Sequence, residues 1–406
     1  MTNPISGKRI ILGVTGSIAA YKAADLASKL TQVGAEVDVI LTASALKFIT
    51  PLTFQSVTGR KAFTDEDLWG GEGHVTHVAL GHAGDLFVIA PASANSLAKL
   101  AHGISDNLLC IAALAARCQM VVAPAMDAGM FAHPATQANV EILKQRGVYL
   151  IGPASGHLAS GLAGIGRMVE PTEILGHCRF LLGRPGPLSG KKVVVTAGGT
   201  QEPIDPVRFI TNRSSGRQGF AIAQAALDQG AEVVLVAGST GLEIPVGVHR
   251  VNVRTAAEMH AAVMAEINAA EVLVMAAAVA DFRPVNSARQ KIKKQLGPPD
   301  IKLESTVDIL GVVAECRSRT GYPRRVVGFA AESQDLYQNA QAKLTAKHLD
   351  MIIANDITAP DAGFEVPTNR VTLVFADGLS ESLPTLTKEE VGEIIVQKLI
   401  LMEGHR

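Results

Sequence analysis

Short apolar runs alternate along this chain with longer stretches in which apolar residues recur every three or four positions. The runs have the length of strands and the stretches the period of helices, so the pattern predicts alternating strands and helices around mostly parallel sheets. In the first half, strands are predicted at Arg9–Val14, Val37–Thr42, Asp85–Ala90, Met120–Ala123 and Val148–Ile151, with helices such as Ala19–Val33 and Asn107–Arg117 between them. In the second half they are predicted at Lys192–Thr196, Glu232–Val236, Val272–Ala277, Val326–Phe329, Met351–Ala354 and Val371–Phe375, closed by a helix from Lys388 to about Met402. Both halves open with a strand running directly into a glycine turn, Ile11–Lys22 and Val193–Asp205. Each then leads into a helical pattern that ends in the same phrase, Gly34-Ala35-Glu36-Val37 and Gly230-Ala231-Glu232-Val233.

The duplicated opening predicts two doubly wound α/β domains, 1–182 and 191–406. The Pro- and Gly-dense segment 183–190 is the predicted linker. A strand-to-helix turn presents free backbone N–H groups and the positive end of a helix dipole, which together favour a phosphate. Glycine there lets the backbone bend and approach a ligand closely. Ligands of such sheets bind beyond the strand C-termini. In the first half these ends carry Thr15-Gly16-Ser17, Thr42-Ala43-Ser44, Pro91-Ala92-Ser93-Ala94-Asn95 and Pro124-Ala125-Met126-Asp127. The stretch Gly152–Met168 is long and punctuated by glycine, and is predicted to be a mobile flap.

Composition narrows the class. The chain has 406 residues, 48% hydrophobic and 18% charged, which suits well-buried domains and argues against disorder. A net charge of −1 predicts no broad attraction to nucleic acid or to an anionic membrane. The N-terminus carries no apolar signal region, and no uninterrupted apolar run reaches the ~20 residues of a membrane span, so a cytoplasmic protein is expected. Its four cysteines lack metal-ligand or CxxC spacing, as expected of free thiols in a reducing compartment. Neither half combines GxGxxG with an acidic residue at the end of its second strand. Hydroxyl and glycine residues stand there instead, which suits a mononucleotide or a flavin ribityl chain better than an adenosine ribose and disfavours a nicotinamide-dependent oxidoreductase.

Taken in order, GSIAAYK, Thr42-Ala43-Ser44, the histidine of GHV (His74), PASAN, PAMDxxM (Met126 to Met130) and the loop ending GxGRM (Met168) resemble the flavin-containing cysteine decarboxylases. In the second half, TAGGTQEPIDPVRFITNRSSGRQG, AAAVADF, KIKK (Lys291 to Lys294) and GFAAE resemble the phosphopantothenoylcysteine synthetase domain. Together the halves resemble the fused bacterial phosphopantothenoylcysteine decarboxylase/synthetase of coenzyme A synthesis over nearly the whole chain. The resemblance implies a flavodoxin-like flavoprotein domain followed by a Rossmann-like, nucleotide-binding synthetase domain. It also implies FMN, CTP with Mg²⁺, and 4′-phosphopantothenate and cysteine as substrates. By the same resemblance the flavin domain forms trimers and the synthetase domain dimers, permitting a dodecamer.

For the synthetase, the resemblance implies activation of 4′-phosphopantothenate by CTP as an acyl-cytidylate, followed by attack of the cysteine amine. Lys291 would serve the cytidylation, with Lys293 and Lys294 following the charge of the departing pyrophosphate. Asn212 would hold the acyl-cytidylate for amine attack, while Asp281, Phe329, Lys343 and Lys347 fall at CTP-contact positions. No carboxylate cage for a metal is evident, so Mg²⁺ would arrive with the nucleotide phosphates.

In the decarboxylase family FMN oxidises the cysteinyl thiol, carbon dioxide leaves, and the electrons return to the ene-thiol. Gly16, Ser17, Thr42 and Ser44, with Pro91, Ser93, Ala94 and Asn95, stand at the positions that would hold FMN. His74 matches the family's essential histidine, and the near-neutral pKa of an ordinary imidazole suits proton transfer. Met126, Met130, Arg167 and Met168 would line the substrate site. Two positions depart from the family: Asp127 replaces the asparagine of PAMN, and Ser160 replaces the flap cysteine that reprotonates the ene-thiol. An ionised aspartate only accepts hydrogen bonds and repels a carboxylate, and a hydroxyl is a far weaker acid than a thiol. The readings are therefore a variant site in which protonated Asp127 or His157 supplies the proton, an active synthetase joined to a stalled or inactive flavin domain, or a flavoprotein regulatory module.

Overall fold

The computed structural model describes residues 3–69, 75–159, 161–293, 299–332, 336–356 and 366–403. The chain divides into two compact units, Thr2–Leu182 and Gly183–Arg406. Among the described residues no helix is long and apolar enough to cross a membrane.

The first unit begins with β1 (Arg9–Val14), α1 (Ala20–Gln32), β2 (Glu36–Leu41), α2 (Pro51–Thr58), β3 (Ala62–Phe63), α3 (Thr76–Ala83), β4 (Leu86–Ala92) and α4 (Ala94–His102). It continues through α5 (Leu108–Ala115), β5 (Gln119–Pro124), α6 (Ala128–Ala132), α7 (Pro134–Gln145), β6 (Tyr149–Leu150), β7 (Ala154–His157), β8 (Ala163–Arg167) and α8 (Pro171–Gly183). The main sheet has the order β3-β2-β1-β4-β5-β6 with parallel pairing throughout. Without the two-residue β3 this is the 2-1-3-4-5 order of flavodoxin-like sheets. Every residue of β4 is buried, as expected of a central parallel strand covered on both faces. On α1 the buried positions Ala20, Ala23, Ala27 and Leu30 follow the helical period and face the core.

The stretch read as a flap is built differently from the loop expected. Over the described residues, β7 and β8 pair antiparallel as a hairpin. Gly164 and Gly166 make this possible: a Cβ at Gly166 would stand 2.3 Å from the Met126 carbonyl oxygen, and one at Gly164 2.6 Å from the Ala128 Cβ. The hairpin is sealed there by Met126 N–H donating to Gly166 O at 3.0 Å.

The second unit contains β9 (Lys192–Ala197), β10 (Gln201–Pro203), β11 (Phe209–Thr211), α9 (Arg217–Asp228), β12 (Glu232–Ala237), β13 (His249–Asn252), α10 (Ala256–Glu266), β14 (Val272–Met275), β15 (Phe282–Pro284) and β16 (Leu303–Ser305). Then come α11 (Ile309–Thr320), β17 (Arg325–Glu332), α12 (Leu336–Ala346), β18 (Met351–Asp356), β19 (Thr368–Asn369), β20 (Val371–Phe375), β21 (Ser380–Ser382), β22 (Leu386–Thr387) and α13 (Lys388–Glu403). Its sheet runs β13-β12-β9-β14-β17-β18-β20-β21, and only the β18–β20 and β20–β21 pairs are antiparallel. The parallel part has the 3-2-1-4-5-6 order of a doubly wound nucleotide-binding sheet. Helices α10, α11 and α12 bury Met259, Val263, Val313 and Leu344 against one face with Val194, Leu273 and Ile352. Helix α9 lies on the other face, where a Cβ on Gly219 would meet that of Ala197 at 2.6 Å, and α13 packs on α9. The turn after β9 does not lead straight into a helix: the hairpin β10–β11 is inserted before α9.

Candidate active sites

In the first unit the turns after β1, β2 and β4 converge. Gly16 is closed in by Ser44, whose Cβ would lie 2.5 Å from a Cβ added at Gly16. Thr15 Oγ1 donates to the Pro91 carbonyl at 2.8 Å and accepts from Ser93 N–H at 2.9 Å, locking the β4 turn to the β1 turn. Ser93 caps α4 through the Ser96 N–H, and Thr42 is buried beneath Ala45, whose N–H it accepts. Ala94 is half-buried at the start of α4, and Asn95 and Ser44 are exposed. The N–H groups of Gly16, Ser17 and Ile18 make no hydrogen bond to any described residue. They precede α1, a helix without a side-chain cap. Three free donors, a helix dipole and surrounding hydroxyls form a cradle that fits a phosphate and a polyol chain.

Beside this cradle lies a cavity of about 300 Å³. Ser17, Met126, Asp127, His157, Arg167 and Met168 meet there, although up to 151 positions separate them (17 to 168). Met130 is 52% exposed and lies outside the lining. Asp127 starts α6, with its Oδ1 accepting the Gly129 N–H at 2.9 Å. That contact needs only an acceptor, so an aspartate meets it as well as an asparagine. His74, Ser160 and Lys294 lie outside the described residues.

Lys22, on α1, also belongs to this site. Its side chain is 7% exposed, and its Nζ donates to the Met168 carbonyl at 3.2 Å and to Glu170 Oε1 at 2.9 Å. Arg167 reaches the same Glu170 oxygen at 2.6 Å. The hydrogen bond from Lys22 holds the Glu170 carboxyl below its ordinary range. The sequence does carry a signal for Lys22: it stands four residues before Leu26 on the apolar face of α1, where a charge requires a partner.

In the second unit, the first turn is stitched to the segment after β14. Ala278 N–H donates to Gly198 O at 2.9 Å, and Ala280 N–H donates to Thr200 Oγ1 at 3.0 Å. Asn212 is fixed on that segment by Nδ2 donating to Val279 O at 2.9 Å. A cavity of about 540 Å³ opens over these strand ends and brings together Asn212, Asp281, Phe329 and Lys343. Lys343 Nζ donates to the Phe329 carbonyl at 3.0 Å. Lys347 does not line this cavity; its ammonium pairs with Asp308, the N-cap of α11. Burial opposes ionisation of Asp308, but the Lys347 partner and the Gly311 N–H outweigh it and hold its carboxyl low.

Lys291 and Lys293 are exposed, outside the cavity lining, on a segment tied down through Ile292. The Ile292 N–H donates to Asp205 Oδ2 at 3.1 Å, and its carbonyl accepts from Arg208 Nη2 at 2.9 Å. Asp205 also accepts the Val207 and Arg208 N–H groups, each at 2.8 Å. The Arg208 guanidinium, first among these donors, keeps the Asp205 carboxyl far below the ordinary range. No spacing rule links residue 205 to residue 292, so this anchor was not legible in the sequence.

Residues 2–180 match the Flavoprotein family, and residues 188–402 match the family described as DNA/pantothenate metabolism flavoprotein C-terminal domain. The chain is 42% identical over 398 residues to the coenzyme A biosynthesis bifunctional protein CoaBC of Bacillus subtilis, covering 97% of each chain. It is 44% identical over 405 residues to the protein of the same name from Mycobacterium bovis, covering 97% of this chain and 96% of that one. A solved structure of the C-terminal domain of a CoaBC protein is 39% identical, covering 54% of this chain and all of that one with a TM-score of 0.47. The chain therefore belongs to the family of bifunctional coenzyme A biosynthesis enzymes, in which a flavin-dependent decarboxylase unit and a phosphopantothenate–cysteine ligase unit share one polypeptide.

Proposed function

We propose that the second unit activates 4′-phosphopantothenate with CTP and joins it to cysteine, and that the first unit decarboxylates the product to 4′-phosphopantetheine. The observation that carries the ligase reading is the cavity that joins Asn212, Asp281, Phe329 and Lys343, with the Lys291 segment anchored by Asp205 and Arg208. In the first step a substrate carboxylate oxygen attacks the α-phosphorus of CTP and pyrophosphate leaves. Lys291 and Lys293 offset the charge of the leaving group, and Lys343 stays at the nucleotide. In the second step the cysteine amine attacks the acyl carbon, CMP leaves and the amine loses a proton. Asn212, held by Val279 O, orients the acyl group for that attack. Mg²⁺ enters with the triphosphate, since Asp281 is the one carboxylate in the described lining.

For the decarboxylase, the free N–H groups of Gly16, Ser17 and Ile18 and the hydroxyls around them suit the phosphate and ribityl chain of FMN. When bound, FMN supplies the oxidation of the thiol and the return of the electrons. The chain's own part is to enclose the substrate between Met126, Met168 and the β7–β8 hairpin. Lys22 and Arg167 set positive charge on the hairpin side of that cavity. A protonated Asp127 or His157, both lining the cavity, supplies the proton that a flap thiol gives elsewhere. A homo-oligomer completes the proposal and is read by sedimentation.

The test is incubation of the full-length protein with 4′-phosphopantothenate, cysteine, CTP and Mg²⁺, with products identified by mass spectrometry. Phosphopantetheine supports both steps, and accumulation of phosphopantothenoylcysteine or its ene-thiol refutes the completed decarboxylation. Absence of ligation refutes the whole reading.

A further inference from the structure

Asp281 reaches the cavity of about 540 Å³ from a segment outside the main sheet, after the end of β14 and before the hairpin β15–β16. The residue is exposed, so the position of its carboxylate follows that of its backbone. What fixes that backbone is a set of polar bonds. Ala280 is 2% exposed, so its N–H and carbonyl are withdrawn from water and each requires a partner. Both partners are threonine hydroxyls, brought from different parts of the unit. The Ala280 N–H donates to Thr200 Oγ1 at 3.0 Å, and its carbonyl accepts from Thr306 Oγ1 at 2.6 Å. Thr306 makes a second bond there, its backbone N–H donating to the Asp281 carbonyl at 2.9 Å.

The same bonds reach the other side of the cavity. Thr200 is fully buried, and its own carbonyl accepts from Thr211 Oγ1 at 2.7 Å. Thr211 immediately precedes Asn212, whose Nδ2 donates to the carbonyl of Val279, the neighbour of Ala280. Thr200, Thr211 and Thr306 therefore join the segments that carry Asn212 and Asp281 into one network. Thr200 and Thr211 belong to the long motif that follows β9, whereas Thr306 belongs to no motif: it stands between β16 and Asp308, the N-cap of α11, and outside the cavity lining.

We propose that Thr306 is a positioning residue of the cytidylation step: by holding the Ala280 and Asp281 carbonyls it sets where the Asp281 carboxylate stands relative to Asn212, and so where the nucleotide lies against the acid it activates. The inference rests on the ligase reading above and adds to it a residue that acts through the backbone of another. Without the hydroxyl, the buried Ala280 carbonyl is left unpaired, and the segment must shift to find a partner. A displacement of about 1 Å at a reacting centre is enough to cost up to roughly a hundredfold in rate.

The test is single-turnover formation of the acyl-cytidylate by the full-length protein, from 4′-phosphopantothenate, CTP and Mg²⁺ without cysteine, followed as pyrophosphate release. Thr306→Val keeps the branched shape and the backbone bond and removes the hydroxyl. It is expected to slow this step at saturating CTP by about tenfold to a hundredfold. Thr306→Ser, which restores the hydroxyl, should stay within about threefold of wild type. Two controls separate positioning from loss of fold. Decarboxylation of supplied phosphopantothenoylcysteine belongs to the first unit and should be unchanged in every variant. Thr320→Val removes a similar hydroxyl from the same unit, one that donates to the Cys316 carbonyl at 3.0 Å and accepts the Tyr322 N–H at 3.1 Å, and it should leave cytidylation within about twofold of wild type. Wild-type rates in Thr306→Val overturn the inference, as does a Thr306→Ser as slow as Thr306→Val or a Thr320→Val that shares the loss. A wild-type protein that releases no pyrophosphate from CTP would instead refute the ligase reading itself.

Discussion

Replacing Lys22 by methionine tests how the flavoprotein unit holds its hairpin against α1. Methionine keeps most of the buried stem, so the packing change is small. Two interactions are lost. The Met168 carbonyl, on a residue 1% exposed, loses the ammonium donor at 3.2 Å, and a buried acceptor left unpaired costs about 1–3 kcal/mol. The Lys22–Glu170 pair is also lost, but Glu170 is 53% exposed and solvent screens it, so that contribution is about 0.2–1 kcal/mol. With about 2–4 °C per kcal/mol for a unit of this size, Lys22→Met should lower the unfolding midpoint by roughly 2–16 °C, against at most about 4 °C for Glu170→Gln. Calorimetry of the full-length protein, with flavin fluorescence reporting this unit, measures both. The pH dependence has a definite sign. The folded-state pKa of Glu170 is depressed, so its contribution is present above the ordinary value of 4.5 and is lost as the pH falls through the folded value. The gap between wild type and Glu170→Gln should therefore close in acid. If Lys22→Met and Glu170→Gln have the same midpoint, the Met168 carbonyl does not depend on Lys22 and the reasoning fails.

Gly166→Ala places a methyl group 2.3 Å from the Met126 carbonyl, where backbone must move; it should cost about 1–3 kcal/mol and raise the KM for phosphopantothenoylcysteine, as measured by thermal unfolding and decarboxylation of that substrate. Asp205→Asn removes a carboxylate that anchors Ile292, so cytidylation should slow by about tenfold or more while decarboxylation of supplied phosphopantothenoylcysteine is unchanged; equal loss of both activities would contradict the local role. Cys178 is fully buried and desolvation pushes its thiol up to about 12, so a thiol-alkylating reagent at pH 8 should leave it unmodified in the native protein and label it after denaturation, read by peptide mass spectrometry. His157→Ala tests whether that exposed imidazole gives the final proton: full turnover of phosphopantothenoylcysteine would leave the role to Asp127.

The periodicity of apolar residues determined the alternation of strands and helices, the two doubly wound units and the strand ends where ligands collect. A strand such as β4, buried along its whole length, must be continuously apolar, and a helix such as α1 must show its buried face every three or four residues. Local motifs likewise made Gly16, Ser17 and Asp127 legible, because a turn or a strand end needs particular residues at short spacing, whereas Asn212 and Lys343 were singled out by the family resemblance. Tertiary structure decided what no local rule encodes. The hairpin in place of a loop at Gly152–Met168 depends on close approach to Met126 and Ala128, and the β10–β11 hairpin before α9 depends on pairing between short segments too weak to register as strands. Lys22, Asp205 and Thr306 are polar groups whose meaning lies in burial and in partners remote in sequence. Lys347 is the converse: its position suggested a nucleotide contact, and the fold pairs it with Asp308. Burial and pairing of charge are properties of the assembled sheet edge, and only the folded chain brings such residues within reach of one another.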